Sequence, residues 1–222
     1  MAELELREIQ KSYQRKKVLR GASLSVEAGT IAGLAGPNGG GKSTLLGILA
    51  GVLRPDRGQF LWRGTDLFTA PGLRREVVGY VPQGTPLFEE LSALDNLRLW
   101  YSQEELSQSL RSGVLHSLGV EDFLRTRVSR MSGGMKKRLS IGCALARRPE
   151  LLLLDEPAAA LDLPGKGELL RVFRNLRDSG KTLLLASHDL QELEICDRLY
   201  LLRDGVLSET DIPALLKAGE GT

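Results

Sequence analysis

The chain has 222 residues, 42% apolar and 26% charged, enough for one large globular domain with a sizeable core. A formal net charge of +2 gives no general reason to expect nucleic acid or a membrane surface as partner, and two cysteines, Cys143 and Cys196, are no disulfide framework. The opening MAELELREIQ lacks the apolar stretch of a signal peptide, and no run approaches the roughly 20 apolar residues that cross a bilayer. A role at a membrane therefore requires spans from another chain.

In chain order, residues 3–7 and 23–26 partly alternate between apolar and polar, and 58–62 is a third short β candidate. Together they predict a small antiparallel sheet on one flank. Residues 30–35 are almost wholly apolar, the pattern of a strand buried on both faces, and the glycine-rich GPNGGGKST follows at once. Residues 42–50 are apolar nearly all round and predict a buried helix. Residues 92–124 are rich in Leu, Glu, Gln and Ser and predict a helical lobe. Two further apolar runs, 151–154 and 182–186, predict more parallel strands, with helices at 168–177 and 189–196. The closing TDIPALLKAGEGT is expected to leave no room for an appended domain. The basic clusters at 15–17, 136–138 and 147–148 read as solvated faces, which isolated charge runs usually are.

GPNGGGKST has glycine at its first and sixth positions, then Lys-Ser, between a strand and a helix, which is the P-loop arrangement. Gly36, Pro37, Asn38, Gly39, Gly40, Gly41, Lys42, Ser43 and Thr44 are thus the candidate phosphate cradle. The glycines let backbone N–H groups approach phosphates, and the helix start adds its positive end. Lys42 is placed to reach the β- and γ-phosphates, and the Ser43 hydroxyl to ligate Mg²⁺. The fold class is then α/β: a P-loop NTPase core with a mostly parallel sheet, a flanking antiparallel β subdomain and an inserted helical subdomain. The lobe takes about residues 84–147, and the core with its β flank takes 1–83 and 148–222.

LLLLDEP ends an apolar strand with two carboxylates, which need a reason to be there. Asp155 is the candidate metal carboxylate, and Glu156 the one that faces the γ-phosphate and polarises the attacking water. His188, in LLASHD, follows the third apolar strand; if that strand is parallel to the others, it reaches the same ligand-binding edge.

MSGGMKKRLS is a second glycine-rich loop opening a helix, with Lys136, Lys137 and Arg138 close behind Ser132. Cations at a helix N-terminus oppose its dipole, and a bound anion there offsets the conflict. That argument predicts a phosphate without saying whose.

From end to end the chain resembles an ATP-binding cassette (ABC) ATPase domain. The marks, in order, are GPNGGGKST, Gln83 in VVGYVPQGTP, MSGGMKKRLS, LLLLDEP, AALD at residues 159–162, and LLASHD. The resemblance implies that Tyr13 stacks on adenine, that Gln83 senses the metal and the attacking water, and that Glu156 is the catalytic base, with His188 and Lys42 beside it. It also implies that Asp162 contacts a partner ATPase domain and that Ser132, Gly133, Gly134 and Met135 complete the γ-phosphate site of that partner. ATP and Mg²⁺ are the implied cofactors. The implied partners are a second ATPase subunit, with a homodimer permitted because every motif is complete, and a separate membrane permease; nucleic acid is not expected. The implied location is cytoplasmic, peripheral on the membrane through the permease.

The commonest signature of the family reads Leu-Ser-Gly-Gly-Gln. Met131 and Met135 depart from it, and Met135 followed by Lys-Lys-Arg-Leu resembles an exporter subset. A soluble ABC ATPase acting on ribosomes or DNA is the alternative; such proteins usually carry two cassettes or a long coiled coil, and this chain has neither. A nucleotide-gated module with little turnover is a third class, disfavoured by the presence of both Glu156 and His188. The loop around Leu87, Phe88 and Leu91 is the candidate permease contact.

Overall fold

A computed structural model describes residues 2–14 and 16–219; Arg15 of the first basic cluster and the last three residues of the closing segment lie outside them. In chain order the elements begin with β1 (Ala2–Tyr13), β2 (Lys16–Glu27), β3 (Ile31–Ala35) and α1 (Lys42–Ala50). Next come β4 (Arg57–Trp62), β5 (Thr65–Asp66), α2 (Pro71–Val77) and β6 (Val78–Val81). The helical stretch holds α3 (Ala93–Arg98), α4 (Gln103–Ser112), α5 (Val114–Ser117), two short 3₁₀ turns and α6 (Gly133–Ala144). The chain then runs through β7 (Leu151–Asp155), α7 (Leu163–Asp178), β8 (Thr182–Ala186) and α8 (Leu190–Leu193). It closes with β9 (Arg198–Arg203), β10 (Val206–Thr210) and α9 (Ile212–Gly219).

Two sheets result. The smaller is antiparallel, in the order β2-β1-β4-β5, and the larger runs β10-β9-β3-β8-β7-β6. In the larger, β9, β3, β8, β7 and β6 are parallel and only β10 is antiparallel. Every residue of β3, β7 and β8 is buried, because both faces of this sheet are covered. Successive residues serve opposite faces. Leu152, Leu154, Leu183 and Leu185 pack with the helical lobe and with Phe173 of α7. Leu151, Leu153, Leu184 and Ala186 pack with α1 and the small sheet. A strand between two apolar layers cannot alternate in polarity, which is why these three runs are apolar throughout.

Several elements differ from the sequence reading. β1 and β2 are far longer than the alternating stretches suggest, because bulges between Leu6 and Ile9 and between Lys11 and Ser12 shift the register and break the alternation. α7 starts at Leu163, where Asp162 caps it and Pro164 suits the first turn. α8 is a single turn rather than a helix reaching Cys196. β6, β9 and β10 are additional to the three expected core strands.

Candidate nucleotide site

The parallel strands collect their carboxyl ends on one edge. Gly36 follows β3, Ser187 and His188 follow β8, Glu156 follows β7, and Pro82 and Gln83 follow β6. Ligands of open α/β sheets bind at such an edge.

The backbone of the first loop demands its glycines. Gly36 has φ 148°, and a Cβ there would lie 2.4 Å from the Leu202 carbonyl oxygen. Gly41 has φ 108° and caps α1 without any side-chain bond, so the first amides of α1 remain available to an anion. Between them the Gly40 amide donates to the Pro37 carbonyl at 3.0 Å, and Asn38 and Gly39 are exposed. Lys42 is buried; its Nζ donates to the carbonyls of Gly36 at 2.8 Å and Pro37 at 3.3 Å. Burial pushes this ammonium below its ordinary pKa, and the nearby carboxylates of Glu156 and Asp155 pull it back up. Ser43 and Thr44 follow in the first turn of α1.

Asp155 is 2% exposed, and its Oδ1 is buried without a hydrogen-bond partner. Burial raises its pKa, and a hydrogen bond from Ser43 acts in the opposite direction. An unpaired buried carboxylate oxygen beside the serine of a P-loop fits a hard divalent cation such as Mg²⁺. Glu156 is also buried and holds φ 48°, a left-handed conformation that is uncommon for a non-glycine residue. Its amide donates to the Ala186 carbonyl at 2.9 Å, and its Oε1 lies 2.9 Å from Nδ1 of the exposed His188. An ionised carboxylate can only accept, so against an ionised Glu156 this contact requires the proton on Nδ1.

Tyr13 ends β1 and is 44% exposed, which removes a core role; the Lys11 ammonium sits 5.4 Å from its ring centre. Gln83 is exposed, and its carbonyl accepts from Lys137 Nζ at 3.0 Å. Ser132 caps α6, accepting from the Met135 amide at 3.2 Å, while Gly133 and Gly134 pack beneath Ala160 and Leu161. Asp162 is exposed and accepts from the Gly165 amide at 3.1 Å, so it serves as a helix cap.

The dipole argument for a phosphate on α6 needs correction. Lys136 pairs with Glu89 at 3.2 Å, Lys137 donates to two carbonyls, and Arg138 lies 3.9 Å from Glu168. The two lysines have partners within the chain and require no bound anion, while the buried Nε of Arg138 has no hydrogen-bond partner. Nor is the cluster a solvated face, since Lys137 is only 2% exposed. On α6, Gly134, Lys137, Ser140 and Ile141 recur at helical spacing, and all four are buried.

Glu192 of α8 is a buried acid that the motifs do not single out. It is 1% exposed and its Oε2 has no partner. Burial, with added repulsion from Glu156 and Asp189, pushes its pKa from 4.5 up to about 7. Between those values the folded chain keeps a proton that the unfolded chain releases, so stability falls as pH rises through this window. Glu192→Gln removes the titration; relative to wild type it should gain stability between about pH 5 and about pH 8, read from urea midpoints.

Comparison with known proteins shows the family of this chain. The ABC transporter family profile matches residues 19–159. The lipopolysaccharide export system ATP-binding protein LptB of Acidithiobacillus ferridurans is 36% identical over 209 residues, covering 91% of this chain and 87% of that protein. The spermidine/putrescine import ATP-binding protein PotA of Spiroplasma citri is 36% identical over 217 residues, covering 95% of this chain but 62% of that longer protein. A dimeric ATP-binding cassette in a post-hydrolysis state, bound to ADP and Pi, superposes with a TM-score of 0.84 at 27% identity, covering 94% of this chain and 98% of that one. A family profile over more than half of the chain, and relatives above 30% identity along nearly all of it, show an ATPase: the chain belongs to the ABC transporter family, as one of its ATP-binding proteins.

Proposed function

We propose that this chain is the ATP-hydrolysing subunit of an exporter, acting as a homodimer that closes on two ATP molecules and drives a separate membrane permease. The observation that carries the reading is the pairing of Glu156 and His188 at the same sheet edge as the phosphate loop, while Ser132 and Gly133 of the second loop stay exposed.

In this reading Tyr13 stacks on the adenine, and the amides of residues 36–44 with Lys42 bind the phosphates. Ser43, Asp155 and Gln83 would hold Mg²⁺, which would supply charge neutralisation to the phosphates. Glu156 accepts a proton from the water that attacks the γ-phosphorus; the bond to the ADP oxygen breaks, and ADP and phosphate leave. The left-handed backbone at Glu156 is a strain of about 1–3 kcal/mol, of the kind that active sites retain to aim a side chain. With Nδ1–H donated to Glu156, only the imidazolium form of His188 has an Nε2–H left for a phosphate oxygen. Ser132, Gly133, Gly134 and Met135 complete the partner's site, and Asp162 lies at the dimer contact.

Among the described residues no helix is long and apolar enough to cross a membrane. A groove of about 620 Å³ lies between the helical lobe and the core, lined by Arg74, Arg75, Leu87, Trp100 and Arg147. Phe88, Leu99 and Trp100 are exposed apolar groups beside it. This surface, where the lobe at about residues 84–147 meets the core, is where the permease docks, from the cytoplasmic side. Export rests on Met135 and the Lys-Lys-Arg-Leu that follows, since the export and import relatives are equally identical.

Phosphate release by the purified chain tests the composite site. The rate per chain should rise with protein concentration below the dimer constant and vanish on chelation of Mg²⁺. A rate per chain independent of dilution would remove the two-chain site, and activity surviving chelation would remove Mg²⁺.

A further inference from the structure

Lys137 is only 2% exposed, although it carries a charge. Burying an unpaired charge is expensive, and long cationic side chains usually extend their heads into solvent. Here Nζ instead donates to the carbonyls of Pro82 and Gln83, at 3.0 Å each. Its charge also faces the carboxylates of Asp155, Glu192 and Glu156. The side chain thus ties the signature helix to the loop that follows β6. At 1.5 Å per residue, Lys137 stands only about 7–8 Å along α6 from Ser132. The other side-chain tie between these segments, Lys136 to Glu89, is much more exposed, and such pairs hold little.

We propose that Lys137 is a positioning residue, whose hydrogen bonds fix the backbone at Gln83 to the signature helix so that Gln83 and the Ser132 loop move as one body. This rests on the functional reading above. A phosphate engaged by Ser132 in the partner's site then sets the place of Gln83 in the chain's own site. Lys137 is then the buried side-chain link between the two nucleotides.

The experiment compares wild type, Lys137→Met and Lys137→Arg as full chains. Lys137→Met fills the same space without donors; Lys137→Arg keeps a buried cation with donors for both carbonyls. For Lys137→Met, kcat for ATP should fall about 10–100-fold, the scale of a small misplacement around reacting groups, with KM changed by less than about threefold. Lys137→Arg should restore kcat to within about threefold of wild type. Hydrogen exchange without nucleotide should quicken in Lys137→Met around residues 82–88, with the melting transition still cooperative.

Wild-type kcat in Lys137→Met would overturn the proposal. So would a loss that Lys137→Arg does not rescue, which marks a packing role. Should Lys137→Met not fold, Lys137→Gln replaces it, uncharged and with its amide nitrogen one bond short of the ammonium position; reduced kcat at unchanged KM supports the tie, and wild-type kcat overturns it. A wild-type chain inactive at every concentration would sink the functional reading, and this inference with it.

Discussion

Replacing Glu156 with glutamine should lower ATP turnover by about 10²–10⁴-fold, the usual worth of a positioned general base. ATP affinity should change by less than about threefold. The amide has the same shape and still offers an oxygen to His188 Nδ1, so the 2.9 Å contact and the left-handed backbone can persist. What is lost is the capacity to take a proton. Removing a negative charge beside a phosphate site cannot weaken an anion's binding by repulsion. Phosphate release and equilibrium nucleotide binding, measured on the same preparation, separate the two effects. Unchanged turnover would place the base elsewhere. Lost binding would mean that Glu156 holds the loop rather than the water.

Ser132→Arg should abolish turnover to a comparable degree while the chain still binds ATP through its own phosphate loop. Ser132 is exposed at the start of α6, and its hydroxyl caps the helix. Losing that cap costs about 1 kcal/mol. A domain stable by about 5–15 kcal/mol survives such a loss. The added guanidinium projects from a loop whose glycines pack closely under Ala160 and Leu161, so the backbone has little room to yield. In a single-chain enzyme this surface position is silent. In a two-chain site it blocks the approach of the partner's γ-phosphate.

The three central strands were legible because both of their faces are buried, and the phosphate loop because its spacing is specific. β6 was not, although it delivers Gln83 to the edge. It is four residues long, with Gly79 inside it and Val78 and Tyr80 only partly buried. A Cβ at Gly79 would lie 2.6 Å from Pro149 Cγ, so the glycine marks a close approach rather than a turn. β9 and β10 were missed because neither is buried along its length and the charged ends of β9 hide its core. The helical lobe was legible in outline only. Its sharpest local signal, the capping box of Ser102 and Glu105 that starts α4, fixes a boundary that composition blurs. Lys137 and Glu192 were illegible as single residues, since burial of a charge depends on partners far along the chain.

The most direct test is the solution mass of Glu156→Gln with and without Mg-ATP. Slow hydrolysis should trap the closed state, so the mass should double when ATP is added and return to that of one chain when Ser132→Arg is introduced as well. A mass of one chain throughout, with ATP demonstrably bound, would contradict a site completed by a second copy of this chain.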